Sequence, residues 1–342
     1  MIGNFKNEKE LEEALSTPSQ ALIQQFADLE GDIIFLGVAG KMGVSMARMA
    51  KKALDISAKK NKIYGVSRFS SPNQQQFLEA SGITTLKGNL INHDFLSSLP
   101  EVKNVYFLAG QKFGTEGNEP LTWAMNSYLP GLVAERFKKS NIVAFSTGCV
   151  YPLVPVTSSG SKESDPIEPI GEYAQSCLGR ERLFEYGSNT HGTKSILIRL
   201  YYAVEMRYGV LVDIASKVKN DIPIDLAMGH ANVIWQAEAN DMILRSLKYC
   251  NSPAAILNIA GPEIFTIREV AEKFAELMGK TVKFTGKENE TALLGNGQKS
   301  YELLAKPQVK LDQLIKWTAD WMIAEGRLLG KPTHFESRDG KY

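Results

Sequence analysis

Ile33-Ile34-Phe35-Leu36-Gly37-Val38-Ala39-Gly40-Lys41-Met42-Gly43-Val44-Ser45-Met46-Ala47 is the stretch on which the reading of this chain turns. Five residues from Ile33 form an apolar strand after Gly31-Asp32, and Met42, Met46 and Met49 then recur at helical spacing. That spacing predicts a helix face packed on a sheet. Between strand and helix stand three glycines, Gly37, Gly40 and Gly43. A chain that turns sharply there, brings its N–H groups up to a ligand and points a helix N-terminus at it is built to hold the pyrophosphate of a dinucleotide, and glycine alone permits the close approach.

Further apolar runs lie at 62–67, 84–87, 105–109, 142–147, 195–200 and 255–259, with separations long enough for crossover helices. This spacing predicts an α/β fold, a Rossmann-type doubly wound parallel sheet. Residues 8–29 read as one or two helices ahead of the first strand, broken at Ser16-Thr17-Pro18-Ser19 where a hydroxyl caps the second. The stretches 152–169, 201–230 and 261–321 leave the alternation and follow strands, where such a sheet builds its substrate cleft. The expected organisation is therefore a helical extension over 1–30, a nucleotide domain over 31–200 plus about 231–260, a smaller C-terminal substrate-binding lobe from about 201–230 plus 261–330, and a polar tail over 331–342. The tail reads as mobile or packed on a partner. A helix from Thr266 to Met278 carries Val270, Phe274, Leu277 and Met278 at packing positions.

With 342 residues the chain can bury a large core, and its formal charge of +1, with both signs mixed throughout, argues against nucleic acid as a partner. The three cysteines, Cys149, Cys177 and Cys250, are widely spaced, and the N-terminus lacks the apolar stretch of a signal peptide. A cytoplasmic protein with reduced thiols and no membrane span is expected. His93, His191, His230 and His334 are isolated, so no metal site is expected.

Beyond the second predicted strand the sequence reads Ser67-Arg68, where an acidic residue would accept bonds from the hydroxyls of the NAD ribose. A small hydroxyl leaves room for a 2′-phosphate, and a guanidinium can pair with it. NADP is therefore favoured over NAD. The competing reading is a polar strand exit.

From about Gly31 to Trp321 the chain resembles the extended short-chain dehydrogenases/reductases, the NAD-dependent epimerase/dehydratase group. Gly37 to Gly43 resembles that family's GxxGxxG turn, Val105 to Gly110 its fourth-strand motif, Asn126 to Gly131 its N-x-x-G helix start, and Phe145 to Tyr151 its S-S/T-x-x-V-Y segment. Arg199-Leu200 with Tyr208-Gly209, and Asn258 to Gly261 with Thr266 and Glu269, fall in familiar places. The resemblance implies Tyr173 as proton donor and acceptor and Thr147 as the hydroxyl that orients the substrate oxygen. It implies a cofactor site of Gly37, Gly40, Lys41, Met42, Gly43, Ser67, Arg68, Leu90, Leu108, Ala109, Gly110, Asn126 and Tyr173. It also implies hydride transfer on a hydroxyl or ketone of a sugar or sugar nucleotide, and a homodimer.

The pattern breaks at one place. Four residues after the tyrosine the family carries a lysine that lowers the tyrosine pKa, and here stands Cys177. A free tyrosine has a pKa near 10 and is ionised to about one part in a thousand at neutral pH, so a fixed cation is wanted. Oxidised nicotinamide, Arg180 and Lys112 are the candidates, and the sequence does not choose among them. The bland alternatives are a core tyrosine at 173, a small buried hydrophobe at 177, and surface pairing of Arg180 with Glu181 or Glu185, the reading preferred for that arginine. Tyr201, Tyr202, Glu205 and Arg207 follow the sixth predicted strand, where Glu205 and Arg207 either bind a polar substrate or pair with each other. Against the enzyme stands a non-catalytic dinucleotide-binding sensor or partner subunit, which Cys177 favours.

Overall fold

The computed structural model describes residues 5–112 and 117–341. The chain opens with α1 (Glu8–Leu15) and α2 (Gln20–Ala27), capped by the side chains of Asn7 and Ser19. The nucleotide half follows as β1 (Ile33–Leu36), α3 (Gly43–Ile56), β2 (Ile63–Ser67), α4 (Pro72–Ala80), β3 (Thr84–Lys87), α5 (His93–Ser98) and β4 (Asn104–Phe107). Then come α6 (Glu119–Trp123), a π-helical turn at Ala124–Tyr128, α7 (Leu129–Arg136), β5 (Asn141–Thr147), β6 (Val154–Pro155), α8 (Gly171–His191) and β7 (Ser195–Leu200). The last third holds β8 (Tyr202–Val204), α9 (Val210–Lys219), β9 (Ile224–Asp225), β10 (His230–Trp235), α10 (Gln236–Arg245), β11 (Ala255–Ile259), β12 (Ile264–Thr266), α11 (Ile267–Met278), β13 (Phe284–Thr285), β14 (Thr291–Ala292), α12 (Gln298–Leu304) and α13 (Leu311–Ile323).

Among the described residues seven strands form one parallel sheet in the order β11-β7-β5-β4-β1-β2-β3. The predicted runs are its strands. β1 and β4 are buried along their whole length, as strands covered by helices on both faces must be. One face buries Phe35, Met46, Met49, Ile63 and Tyr106 under α3 and α10, and the N-terminal helices add Leu11, Leu15, Leu22 and Phe26 to the same core. The other buries Ile34, Leu36, Phe107, Leu129, Val133 and Phe184. The fold is a Rossmann-type doubly wound sheet whose strand order reverses between β1 and β4, and the crevice at that reversal is where such sheets take ligands.

β8, β10 and β12 make a separate three-stranded sheet, and β9–β13 and β6–β14 are two-stranded pairs. Val270 and Phe274 of α11 are buried as expected, but Leu277 is exposed. Met278, at the end of the helix, is partly buried against the core, so among the four predicted positions Leu277 alone faces out. The C-terminal residues pack on their own chain: Thr333 N–H donates to Asp213 at 2.7 Å, Phe335 is buried, and Arg338 Nη1 donates to the Thr291 carbonyl at 2.7 Å. Among the described residues no helix is long and apolar enough to cross a membrane.

Candidate active site

A cleft of about 970 Å³ opens at the carboxyl ends of the strands. Its floor is the turn after β1. Gly37 has φ +94°, and a Cβ there would lie 2.7 Å from the Ala109 nitrogen, so this glycine lets the turn press against the end of β4. A Cβ on Gly43 would collide with the Val38 carbonyl, whereas one on Gly40 would meet only the Gly37 oxygen, at 3.3 Å. Gly40 is exposed on the cleft side. Among the described residues no side chain caps the N-terminus of α3. An open glycine over an uncapped helix N-terminus, in a cleft of this size, suits a dinucleotide diphosphate.

Of the predicted cofactor residues, Gly40, Lys41, Met42, Gly43, Leu108, Gly110 and Tyr173 line the cleft. Gly37 and Ala109 sit in contact behind the turn, Leu90 is buried in the core, and Asn126 is buried beneath the loop after β4. Ser67 ends β2 half-buried and Arg68 is exposed beyond it, both outside the lining of the cleft. That stretch of wall comes instead from Ser71, Asn73, Gln74 and Phe77, polar and aromatic residues with no sequence signal of their own.

Thr147, at the end of β5, and Tyr173, in the first turn of α8, are brought together. The Thr147 hydroxyl hydrogen-bonds Tyr173 and also accepts from the Cys149 N–H at 3.1 Å, while Tyr173 hydrogen-bonds the Cys177 thiol. Burial raises the Tyr173 phenol well above its usual range, and Cys177 and Cys149 push the same way. Arg180 and the Thr147 hydrogen bond oppose them. Cys177 is fully buried, and burial pushes its thiol up to about 11, so it is neutral at physiological pH.

The surface pairing preferred for Arg180 is not what forms. Its guanidinium is 5% exposed, donating from Nη1 to the Phe145 carbonyl at 2.8 Å and from Nη2 to Asn126 Oδ1 at 2.7 Å. Glu181 is buried with it and pairs with Arg199 at 2.7 Å. Arg182 pairs with Glu185 on the surface instead. α8 packs on both the sheet and the helices beside it, so polar residues at successive positions face the interior.

Glu205 and Arg207 pair with each other at 3.0 Å, and Arg207 also holds Glu12 of α1 at 2.7 Å. Arg207, Tyr201 and Tyr202 line the cleft, joined by Glu8, Glu12, Arg327 and Lys331 from the two ends of the chain. Lys41 Nζ donates to the Ala203 carbonyl at 2.6 Å and lies 3.7 Å from the centre of the Tyr208 ring. The cleft walls crowd this ammonium, which solvent still reaches, and desolvation pulls its pKa down to about 7 against the opposing pull of Glu205.

Neither a family model nor a curated protein sequence matches the chain. Solved structures match its fold. UDP-glucuronic acid 4-epimerase from Bacillus cereus, in complex with NAD, superposes with a TM-score of 0.70 at 16% identity, over 86% of this chain and 98% of that one. dTDP-glucose 4,6-dehydratase from Bacillus anthracis str. Ames, also in complex with NAD, gives 0.70 at 16% over 85% and 96%. DesIV, the dTDP-glucose 4,6-dehydratase from Streptomyces venezuelae with NAD and TYD bound, gives 0.71 at 16% over 85% and 97%. The chain thus has the fold of these epimerase and dehydratase structures.

Proposed function

We propose that the protein is a nicotinamide-dinucleotide-dependent oxidoreductase or epimerase acting on a hydroxyl or ketone of a sugar, sugar nucleotide or similar polar substrate. The observation that carries this reading is the hydrogen-bonded pair Thr147 and Tyr173 in the cleft that the glycine turn also lines. Gly40 to Gly43 and the N-terminus of α3 would hold the diphosphate, and Leu108 and Gly110 would border the rest of the dinucleotide. When bound, the cofactor supplies the hydride donor or acceptor. Thr147 holds the substrate oxygen by a hydrogen bond, and Tyr173 Oη gives that oxygen a proton or takes one from it. The fold neighbours in complex with NAD are named for the sugar nucleotides UDP-glucuronic acid and dTDP-glucose, which supports the substrate class.

Ser67 and the exposed Arg68 keep NADP as the expected form, although the neighbours carry NAD. Titration of nucleotide-stripped protein with NADPH and NADH, read by energy transfer from tryptophan to the reduced nicotinamide, tests both points. Tight NADPH binding with NADH about tenfold weaker, a difference of about 1.4 kcal/mol, supports Ser67 and Arg68 as the phosphate site. Equal affinities remove that assignment, and binding of neither nucleotide removes the cofactor.

The buried neutral thiol of Cys177 favours a second reading, a dinucleotide-binding sensor or partner subunit without turnover. Dinucleotide binding with no hydride exchange across a panel of carbonyl sugars and sugar nucleotides is the outcome that selects it. We infer a homodimer in both cases, through the helical face that exposes Trp123, Tyr128 and Tyr186. A single monomer boundary in sedimentation velocity at micromolar concentration excludes it.

A further inference from the structure

We propose that Lys112, in the loop after β4, is the positioning residue that sets the ionisation of Tyr173, in place of the cation missing at position 177. The inference rests on the role given to Tyr173 above. Lys112 Nζ lies 5.8 Å from the centre of the Tyr173 ring, and both residues line the cleft.

The backbone just before this lysine is held at two points. Asn126 Oδ1 accepts from the Gln111 N–H at 2.8 Å, and Asn126 Nδ2 donates to the Gln111 carbonyl at 2.8 Å. Asn126 sits, buried, in the π-helical turn at Ala124–Tyr128. Arg180 locks the same Oδ1, and Ser176, three residues after Tyr173, accepts from Asn126 Nδ2 at 3.0 Å. Gly110 is required by this arrangement, because a Cβ there would lie 2.5 Å from Arg180 Nη2. One amide therefore ties the Lys112 loop to the helix turn that carries Tyr173.

Arg180 also bears on Tyr173 as a cation, favouring its ionised form. Thr147 is neutral, and the burial-raised Cys177 stays a thiol near neutral pH. Arg180 has two of its nitrogens committed to Phe145 and Asn126. Lys112 in turn acts on Lys41 as a like charge, and Asp213 acts on both lysines as an opposite one. Cys149 bears on both Lys112 and Tyr173. Burial lowers the Lys112 ammonium from its ordinary value. When Tyr173 Oη gives up its proton to a substrate oxygen, the phenolate left behind is balanced by Lys112.

The test follows the Cζ resonance of Tyr173 in full-length protein labelled with [¹³Cζ]tyrosine, assigned by its loss in Tyr173→Phe, from about pH 7 to about pH 11.5. Lys112→Met is expected to move the Tyr173 midpoint up by about one unit or more, and Lys112→Arg to restore it to within about 0.3 unit. Lys112→Gln replaces the methionine variant if that one does not fold. A midpoint unchanged in whichever neutral variant folds overturns the proposal, and so does a Tyr173 that stays protonated throughout in wild type and variants alike. NADPH titration of the same samples keeps the two ideas apart. Wild-type protein that binds no dinucleotide refutes the proposed function even where the Tyr173 shift is present, and intact binding with no shift refutes only the role of Lys112.

Discussion

Gly37 and Gly40 belong to one motif but answer to different constraints. Gly37 is needed by the fold, since its positive φ and the 2.7 Å approach to Ala109 leave no room for a side chain. Gly37→Ala is expected to cost about 1–3 kcal/mol in urea unfolding. Gly40→Ala should leave the urea midpoint nearly in place and weaken NADPH binding at least tenfold, because its Cβ points to where the diphosphate would lie. Lys41 gives a second residue-scale prediction. Its free-protein pKa of about 7 leaves it largely neutral at pH 8, and a bound diphosphate favours the ammonium, so the complex holds more protons than the free protein. Affinity should fall as pH rises from about 7 to 9, and calorimetry at pH 8 in buffers of different ionisation enthalpy should report proton uptake that Lys41→Met abolishes. Thr147 and Tyr173 were singled out by the family resemblance, and the spacing of the glycines was legible in the sequence. The burial of Arg180 was not, because a neighbouring glutamate on a helix looks the same whether the pair is wet or dry.

At the level of elements, α8 must place Tyr173 against the end of β5, and a buried network does this. Glu181 of α8 accepts from Ser146 of β5 at 2.5 Å and from Arg199 of β7, and Arg199 donates to Tyr151, which donates to Asn258 of β11 at 3.1 Å. The Arg199 and Glu181 side chains are both fully buried. Glu181→Leu leaves a buried guanidinium without its counter-charge and is expected to cost about 3–5 kcal/mol in chemical denaturation, where the sequence expectation of a surface partner implies a few tenths. Arg199 and Asn258, noticed in the sequence only as familiar positions, thus serve to join three strands to one helix. The strands themselves were legible as short apolar runs between turns. Leu277 of α11 was not: it continues the helical spacing but is exposed.

For the whole molecule, the N-terminal helices are part of the core. Leu11, Leu15, Leu22 and Phe26 are buried, Ser19 N–H donates to Asp241 at 3.0 Å, and Glu12 reaches Arg207 in the cleft wall. Phe26→Ala should lower stability by about 3–5 kcal/mol, read as a shift in the denaturation midpoint, whereas a loosely attached extension would show almost none. The sequence by itself determined the doubly wound sheet, the glycine turn and the N-terminal helical segment, because these rest on local spacing, capping and backbone sterics, while Thr147 and Tyr173 came from its resemblance to a family. Only the tertiary structure decided that the tail folds back on its own chain, that Glu12 and Arg207 meet, and that Lys112 stands beside Tyr173. Those contacts join segments far apart in the chain, and the charge or polarity of a residue carries no record of which distant partner the packing will bring to it.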